Sequence, residues 1–116
     1  MADILHRLHV AAPPSEVFRA LVEHDLLGRA WGHAVLHAEP GARLAWRCVD
    51  GPTESIGTEI AFELQPYGGG TIVRFGHRHW RAPTDTMAEC ATRWAHLLFQ
   101  LKSWVETPDA DDVHAG

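Results

Sequence analysis

The sequence predicts an α+β domain in which an antiparallel sheet of about five strands has its helices on one face. Two runs of alternating apolar and polar residues, 58–65 and 71–80, flank a Pro-Tyr-Gly-Gly-Gly turn, which is typical of a hairpin with one buried face. Residues 85–106 repeat apolar side chains at spacings of three and four, which indicates a helix of about 30 Å. The order strand, two short helices, four strands and long helix permits this layered arrangement.

The first elements are a strand at 4–10 and a helix at 15–23. Alternate residues from Ile4 to Val10 share one face of the strand. The Ala-Ala-Pro-Pro-Ser segment ends the strand, because proline lacks the backbone donor and is well suited to a helix start. Apolar residues then recur at helical spacing up to Leu21, and residues 25–31 predict a second short helix.

The middle of the chain predicts a further hairpin, with strands at 34–38 and 43–49 around a Glu-Pro-Gly-Ala turn. Leu44, Trp46 and Cys48 share one face of the second of these strands. Residues 50–55 form a polar turn. Residues 107–116 contain three aspartates and no periodicity, so we expect a folded domain at 1–106 and a flexible C-terminal tail at 107–116.

Composition narrows the function classes. The net charge is −5 and the ten basic residues are scattered, so we expect no nucleic-acid partner. No signal peptide and no apolar run of about 20 residues occurs, so we expect no membrane span and a cytoplasmic protein. Cys48 and Cys90 are far apart in sequence, which favours two buried free thiols over a disulfide.

The run 71–80 carries the main chemical candidates. Alternation places His77 and His79 on the same face as Phe75, so this face changes from aliphatic to imidazole, as a pocket wall would. Trp80 falls on the opposite face. The His-x-His pair supplies two potential zinc ligands, but no third ligand stands at a diagnostic spacing, so we predict no metal and no cofactor.

Four groups of residues follow a known family pattern in the right order, although each is weakly specific alone. These are Pro14-Ser15-Glu16-Val17-Phe18, Glu39-Pro40-Gly41 with Leu44 and Trp46, Gly69-Gly70-Thr71, and Trp94 with Leu97, Leu98, Leu101 and Lys102. Over about 4–106 the chain thereby resembles the START-like (SRPBCC) superfamily, and most closely the branch named for the activator of heat-shock-protein ATPase homologue. The resemblance implies a helix-grip fold, in which a curved sheet wraps around the long C-terminal helix and leaves an apolar cavity.

One departure from the family pattern stands out. A hairpin normally separates the second short helix from the strand before the Glu-Pro turn, but here Trp31 is followed almost at once by that strand. In the family the two missing strands lie at opposite edges of the sheet, so a contiguous five-stranded sheet survives their loss. We expect a smaller or open cavity, and new edges that favour pairing with another chain, which makes a homodimer a candidate assembly.

Most members of the superfamily bind small hydrophobic molecules, and the resemblance implies the same here. The residues expected to line the cavity share aromatic or apolar character, apart from one histidine that supplies a polar contact. They are Trp46, Phe62, Phe75, His77, Trp94 and Leu98. Arg78 and Arg81 are expected near the mouth.

Two alternatives remain open. One is an enzyme of the cyclase or hydrolase kind, with His77 as general acid or base, although no recognisable nucleophile accompanies it. The other is a co-chaperone-like or dimeric interaction module with a solid interior and no ligand.

Overall fold

The computed structural model describes residues 2–23, 33–49 and 53–106. Its elements are β1 (Ala2–Val10), α1 (Pro14–Glu23), β2 (His33–Glu39), β3 (Arg43–Cys48), a 3-10 turn (Thr53–Ser55), β4 (Glu59–Tyr67), β5 (Gly70–Trp80) and α2 (Asp85–Glu106). Each predicted element within these ranges is confirmed, with ends shifted by at most a few residues. The predicted second short helix and the predicted tail lie outside the described residues.

All five strands form one antiparallel sheet in the order β1-β5-β4-β3-β2. The sheet is contiguous, as expected for a START-like domain that has lost a strand at each edge. β1 and β2 are therefore the edge strands. With α1 and the 22-residue α2 packed on one side, the architecture is the α+β helix-grip arrangement that the sequence predicts.

Local chemistry explains where the elements begin and turn. The backbone N–H groups of Glu16 and Val17 both donate to the Pro13 carbonyl, 3.0 and 3.2 Å away, which starts α1 directly after the proline pair. In the β4–β5 hairpin Gly68 and Gly69 have φ values of 55° and 82°, which glycine adopts at little cost. The Thr84 hydroxyl accepts from the Met87 N–H at 3.4 Å and so caps the start of α2.

The core lies between the inner face of the sheet and α2. Alternation along each strand decides which side chains enter it, and the register pairs Ile60 with His77 and Phe62 with Phe75. α2 contributes buried residues at helical spacing, which are Cys90, Trp94, Leu98 and Leu101. The predicted inner faces of β1, β3 and β4 are therefore confirmed.

The last turn of α2 is joined to the edge of the sheet. Lys102 Nζ donates to the His9 carbonyl at 2.8 Å, and Glu106 Oε2 accepts from the Ala11 N–H at 2.6 Å. The same two side chains form an ion pair with each other at 2.5 Å. These contacts hold the C-terminal end of α2 beside β1. Within the described ranges, no helix is both long and apolar enough to cross a membrane.

Candidate functional site

His77 lies at the centre of the candidate site, fully buried on the inner face of β5. Its Nε2 is 2.7 Å from the Thr58 hydroxyl oxygen, and that hydroxyl donates to the Ser55 carbonyl at 2.5 Å. A threonine hydroxyl has only one proton, so His77 must donate from Nε2 and the lone pair of its ring resides on Nδ1. The hydrogen-bond chain thus fixes the tautomer and the orientation of the imidazole.

Burial also fixes the charge of this histidine. Loss of hydration in the core lowers the pKa of His77 from 6.5 to about 4. The ring is therefore neutral at neutral pH. A neutral imidazole with an oriented Nδ1 lone pair can accept a hydrogen bond inside an apolar environment.

The other predicted cavity residues form one aromatic cluster, which reaches His77 through Trp94, whose ring centroid is 6.3 Å from that of His77. Phe62 is at its centre, with ring centroids 5.6 Å from Trp46, 5.3 Å from Phe75 and 6.0 Å from Trp94. Phe75 and Trp94 are 4.6 Å apart, and Leu98 is buried in the same core. The structure therefore brings all six predicted residues together. Their rings contact one another closely, so this part of the interior is filled by side chains.

Trp80 is one of two residues that sequence reasoning placed on the wrong face of β5. Alternation puts it on the outer face, whereas it is 1% exposed on the inner side and its ring centroid is 4.8 Å from that of His77. The reason is a β-bulge. Ala2 pairs with Trp80 but Ile4 pairs with His77, so two residues of β5 oppose Asp3 alone.

The bulge depends on His79, whose φ of 74° is in the left-handed region. Asp3 stabilises it by accepting the His79 N–H at 3.2 Å and by an ion pair with Arg78 at 3.5 Å. The His79 side chain consequently leaves the face of His77 and lies 3.6 Å from Glu59 near solvent. The expectation that both histidines share one face is wrong for this reason.

A groove of about 660 Å³ opens beside Trp80, between β5, the 3-10 turn and the start of α2. Glu54, Arg81 and Thr84 also line it, and Thr84 donates to the Glu54 carboxylate at 3.2 Å. The buried Trp80 Nε1–H has no acceptor among the described residues. Arg81 is thus near this opening as expected, but Arg78 is not, because it borders a separate groove of about 330 Å³ on the outer face of the sheet.

The remaining chemical candidates have structural roles. Within the described part of the chain, no three His, Cys, Asp or Glu side chains are grouped to hold a metal ion. His6 donates from Nε2 to the Ala91 carbonyl at 3.0 Å and stacks on Phe75. Cys48 and Cys90 are both free and buried, as predicted, and burial raises the pKa of the Cys90 thiol to about 11.

Neither a protein-family model nor a curated protein sequence matches the chain. Solved structures, by contrast, do match the chain. The Aha1 dimer from Colwellia psychrerythraea is 30% identical with a TM-score of 0.79, and the match covers 91% of this chain and 97% of that one. CalU16 from Micromonospora echinospora is 20% identical with a TM-score of 0.74, and the match covers 89% of this chain and 73% of that one.

An AHSA1-like protein from Rhizobium etli is 20% identical with a TM-score of 0.71, and the match covers 90% of this chain and 82% of that one. These two more distant matches support the fold alone. The Colwellia protein is closer in sequence and is matched over nearly its whole length. The chain therefore belongs to the Aha1 (AHSA1)-like branch of the START-like superfamily.

Proposed function

We propose that this protein binds a small hydrophobic or aromatic molecule at the His77–Trp80 end of its sheet–helix interior. The observation that carries the proposal is Trp80, which lines an open groove and whose buried indole N–H has no acceptor in the described part of the chain. A buried donor of this kind costs about 1–3 kcal/mol unless it is satisfied. A ligand oxygen at the head of the groove would satisfy it.

The chemistry of the groove suggests which ligand fits. Trp80 offers an aromatic surface and a donor, and His77 beside it is neutral, so the inner end favours an uncharged apolar group with a hydrogen-bond acceptor. Arg81 lines the outer part of the groove and favours an acidic group there. The six predicted lining residues form the closely packed wall behind this end, with His77 as the polar contact.

The first test is native mass spectrometry of the purified protein, followed by denaturing extraction. We expect a bound small molecule, which the extraction then identifies by mass. The second test is a titration with 8-anilinonaphthalene-1-sulfonate, a dye that combines aromatic rings with acceptor oxygens, followed by its fluorescence. We expect saturable binding at one site. Absence of both a retained molecule and saturable dye binding would contradict the proposal.

Trp80→Phe tests the donor itself, because it removes the N–H and keeps an aromatic ring. A hydrogen bond of about 1 kcal/mol corresponds to about a fivefold weaker affinity for the dye. Trp104→Phe is the matched control, since Trp104 lies at the opposite end of α2. Equal weakening by both substitutions would show that binding does not use Trp80. Circular dichroism confirms that both variants are folded.

The enzyme alternative stays a prediction. His77 is fully buried and its one proton is engaged with Thr58, so it is better arranged to hold a ligand than to exchange a proton with one. His77→Gln separates the two: it should weaken binding modestly if the histidine only contacts a ligand, and abolish turnover if it is a catalytic acid or base.

A further inference from the structure

The open edge of β1 presents a defined set of backbone groups. Lys102 donates to the His9 carbonyl and Glu106 accepts from the Ala11 N–H, so the backbone groups of odd-numbered residues point away from β5. In an antiparallel strand these groups alternate in direction. Asp3, Leu5 and Arg7 therefore also face the open edge, and among the described residues α2 covers that edge only from His9 onward.

Asp3 and Arg7 are charged, but the side chain between them does not protect the edge as a charge would. Leu5 is 61% exposed on the outer face of the sheet. Arg7 is directly opposite Arg74 in the β1–β5 register, and like charges at that spacing are destabilising. Arg7 also makes no ion pair with any residue that the structure describes. The edge thus carries an acid, an exposed leucine and an unneutralised arginine at regular two-residue spacing.

We propose that this edge pairs with β1 of a second copy of the chain, antiparallel and centred on Leu5. In this register Leu5 lies opposite Leu5 of the partner subunit. Asp3 lies opposite the partner's Arg7, and Arg7 lies opposite the partner's Asp3. Three outward-facing residues on each strand, each with one donor and one acceptor, give about six backbone hydrogen bonds. Because the two strands run in opposite directions, the order acid, leucine, arginine on one strand faces arginine, leucine, acid on the other, and the charges are complementary.

A second exposed apolar side chain lies on the helix side of the same edge. Phe99 is 63% exposed, and it precedes Lys102 by three residues, so both are on the side of α2 that approaches β1. The seam between the two copies would therefore have Leu5 on the outer face of the sheet and Phe99 on the helix face. Apolar side chains on both faces exclude water from the shared hydrogen bonds.

The other edge is less suited to pairing. Val35 pairs with Trp46 and His37 with Ala45, so Leu36 is an extra residue in β2 itself. Such a bulge twists an edge strand and interrupts its row of hydrogen-bonding groups. The bulge near Asp3 is different, because its extra residue belongs to β5 and leaves β1 regular. The relative from Colwellia is described as a dimer, which agrees with a paired edge.

The oligomeric state of two leucine variants tests the proposal. Wild-type protein should have twice the 12.9 kDa chain mass in light scattering after size exclusion. Leu5→Glu places two carboxylates opposite each other and should raise the dimer dissociation constant at least tenfold. Leu36→Glu is the matched control, since Leu36 is 43% exposed on the other edge, and it should leave the dimer intact. Both sites are at the surface, so neither variant should unfold.

A charge-exchange experiment tests the register. Arg7→Glu alone should give a monomer, because two acidic pairs face each other, and Asp3→Lys alone should do the same with basic pairs. An equimolar mixture of the two variants should form a heterodimer, whose mass native mass spectrometry distinguishes from both homodimers. Asp3 also supports the β5 bulge, so circular dichroism must first show that Asp3→Lys is folded.

Three results would overturn the proposal: a wild-type protein that is monomeric at 100 µM or more, a dimer that survives Leu5→Glu, or a dimer that dissociates with Leu36→Glu instead. The last result would assign the interface to β2. If Asp3→Lys does not fold, the two leucine variants still decide between the edges.

Discussion

At the scale of single residues, the Ser55–Thr58–His77 chain determines the state of the only fully buried histidine among the described residues. The Ser55 carbonyl can only accept and the Thr58 hydroxyl has a single proton, so the direction of both hydrogen bonds is fixed. The pKa of His77 follows from its burial, and its tautomer follows from Thr58. A residue outside the aromatic cluster therefore orients the polar group inside it.

Thr58→Val tests this chain, because valine keeps the shape of threonine and removes the hydroxyl. The His77 Nε2–H then loses its acceptor in a buried position, so the free energy of unfolding should fall by about 1–3 kcal/mol. Urea titration measures the change. Thr92→Val is the control: its hydroxyl bonds to the Ala88 carbonyl on the exposed side of α2, so the loss should be below about 0.5 kcal/mol. Equal losses would contradict the role of Thr58.

At the scale of elements, the end of β5 shows how one backbone conformation redirects a side chain. The left-handed φ of His79 inserts the extra residue, and this turns Trp80 from the outer face to the core. A non-glycine residue in this region costs about 1–2 kcal/mol, which the contacts from Asp3 offset. β1 therefore determines the geometry of the site through Asp3, which lies at the end of the strand remote from α1.

His79→Gly should stabilise the protein, because glycine adopts a φ of 74° without steric cost. The substitution loses the exposed ion pair with Glu59, which is worth little, so we expect a net gain of about 0.5–1 kcal/mol in the free energy of unfolding. Arg78→Gly, one residue earlier in the strand, should destabilise instead. Thermal unfolding compares the two. A loss of stability in His79→Gly would show that the bulge is not strained.

The predictable part of the fold is the part that depends on local periodicity. Alternation identified the inner faces of β3, β4 and most of β5, and helical spacing identified α2, because burial of one face decides those patterns. Trp80 could not be predicted, since its orientation depends on a contact between Asp3 and His79, which are far apart in sequence. The only signal of this bulge in the sequence was a histidine directly before a tryptophan at the predicted end of the strand.

In the candidate site, too, local periodicity predicts some features and long-range packing decides the others. His77 was expected on the inner face, but its hydrogen bond with Thr58 depends on the β4–β5 register, which alternation alone does not give. The groove beside Trp80 depends further on how the 3-10 turn approaches the start of α2. Sequence therefore predicted which side chains are buried together, while tertiary packing decided where an opening reaches them.

At the scale of the whole molecule, the small sheet makes the domain depend strongly on its aromatic core. The described residues contribute five strands and two helices, which leave few layers around the cluster, and His77 is packed beside Trp80 and Trp94 as an uncharged group. Any condition that charges this imidazole must either disrupt the core or unfold the domain. Acid is such a condition, because the unfolded chain accepts the proton far more readily than the folded one.

Stability should therefore fall as the pH is lowered from about 6.5 toward 4. The pKa of His77 is about 4 in the folded protein and 6.5 when unfolded, so between these values only the unfolded state is protonated. The difference, at about 1.36 kcal/mol for each pKa unit, limits the loss to about 3 kcal/mol. Carboxylates such as Glu106, whose pKa is lowered by its hydrogen bond with Lys102, add a loss of the same sign in more acidic solution.

His77→Gln isolates the histidine, because glutamine can still donate to Thr58 but does not titrate. Urea unfolding at a series of pH values should show that this variant loses less stability between pH 6.5 and 4 than the wild type does. His79→Gln is the control and should keep the wild-type slope, since the His79 side chain is close to solvent. Identical slopes for wild type and His77→Gln would mean that the buried imidazole does not carry the acid sensitivity, and that the core accepts its charge.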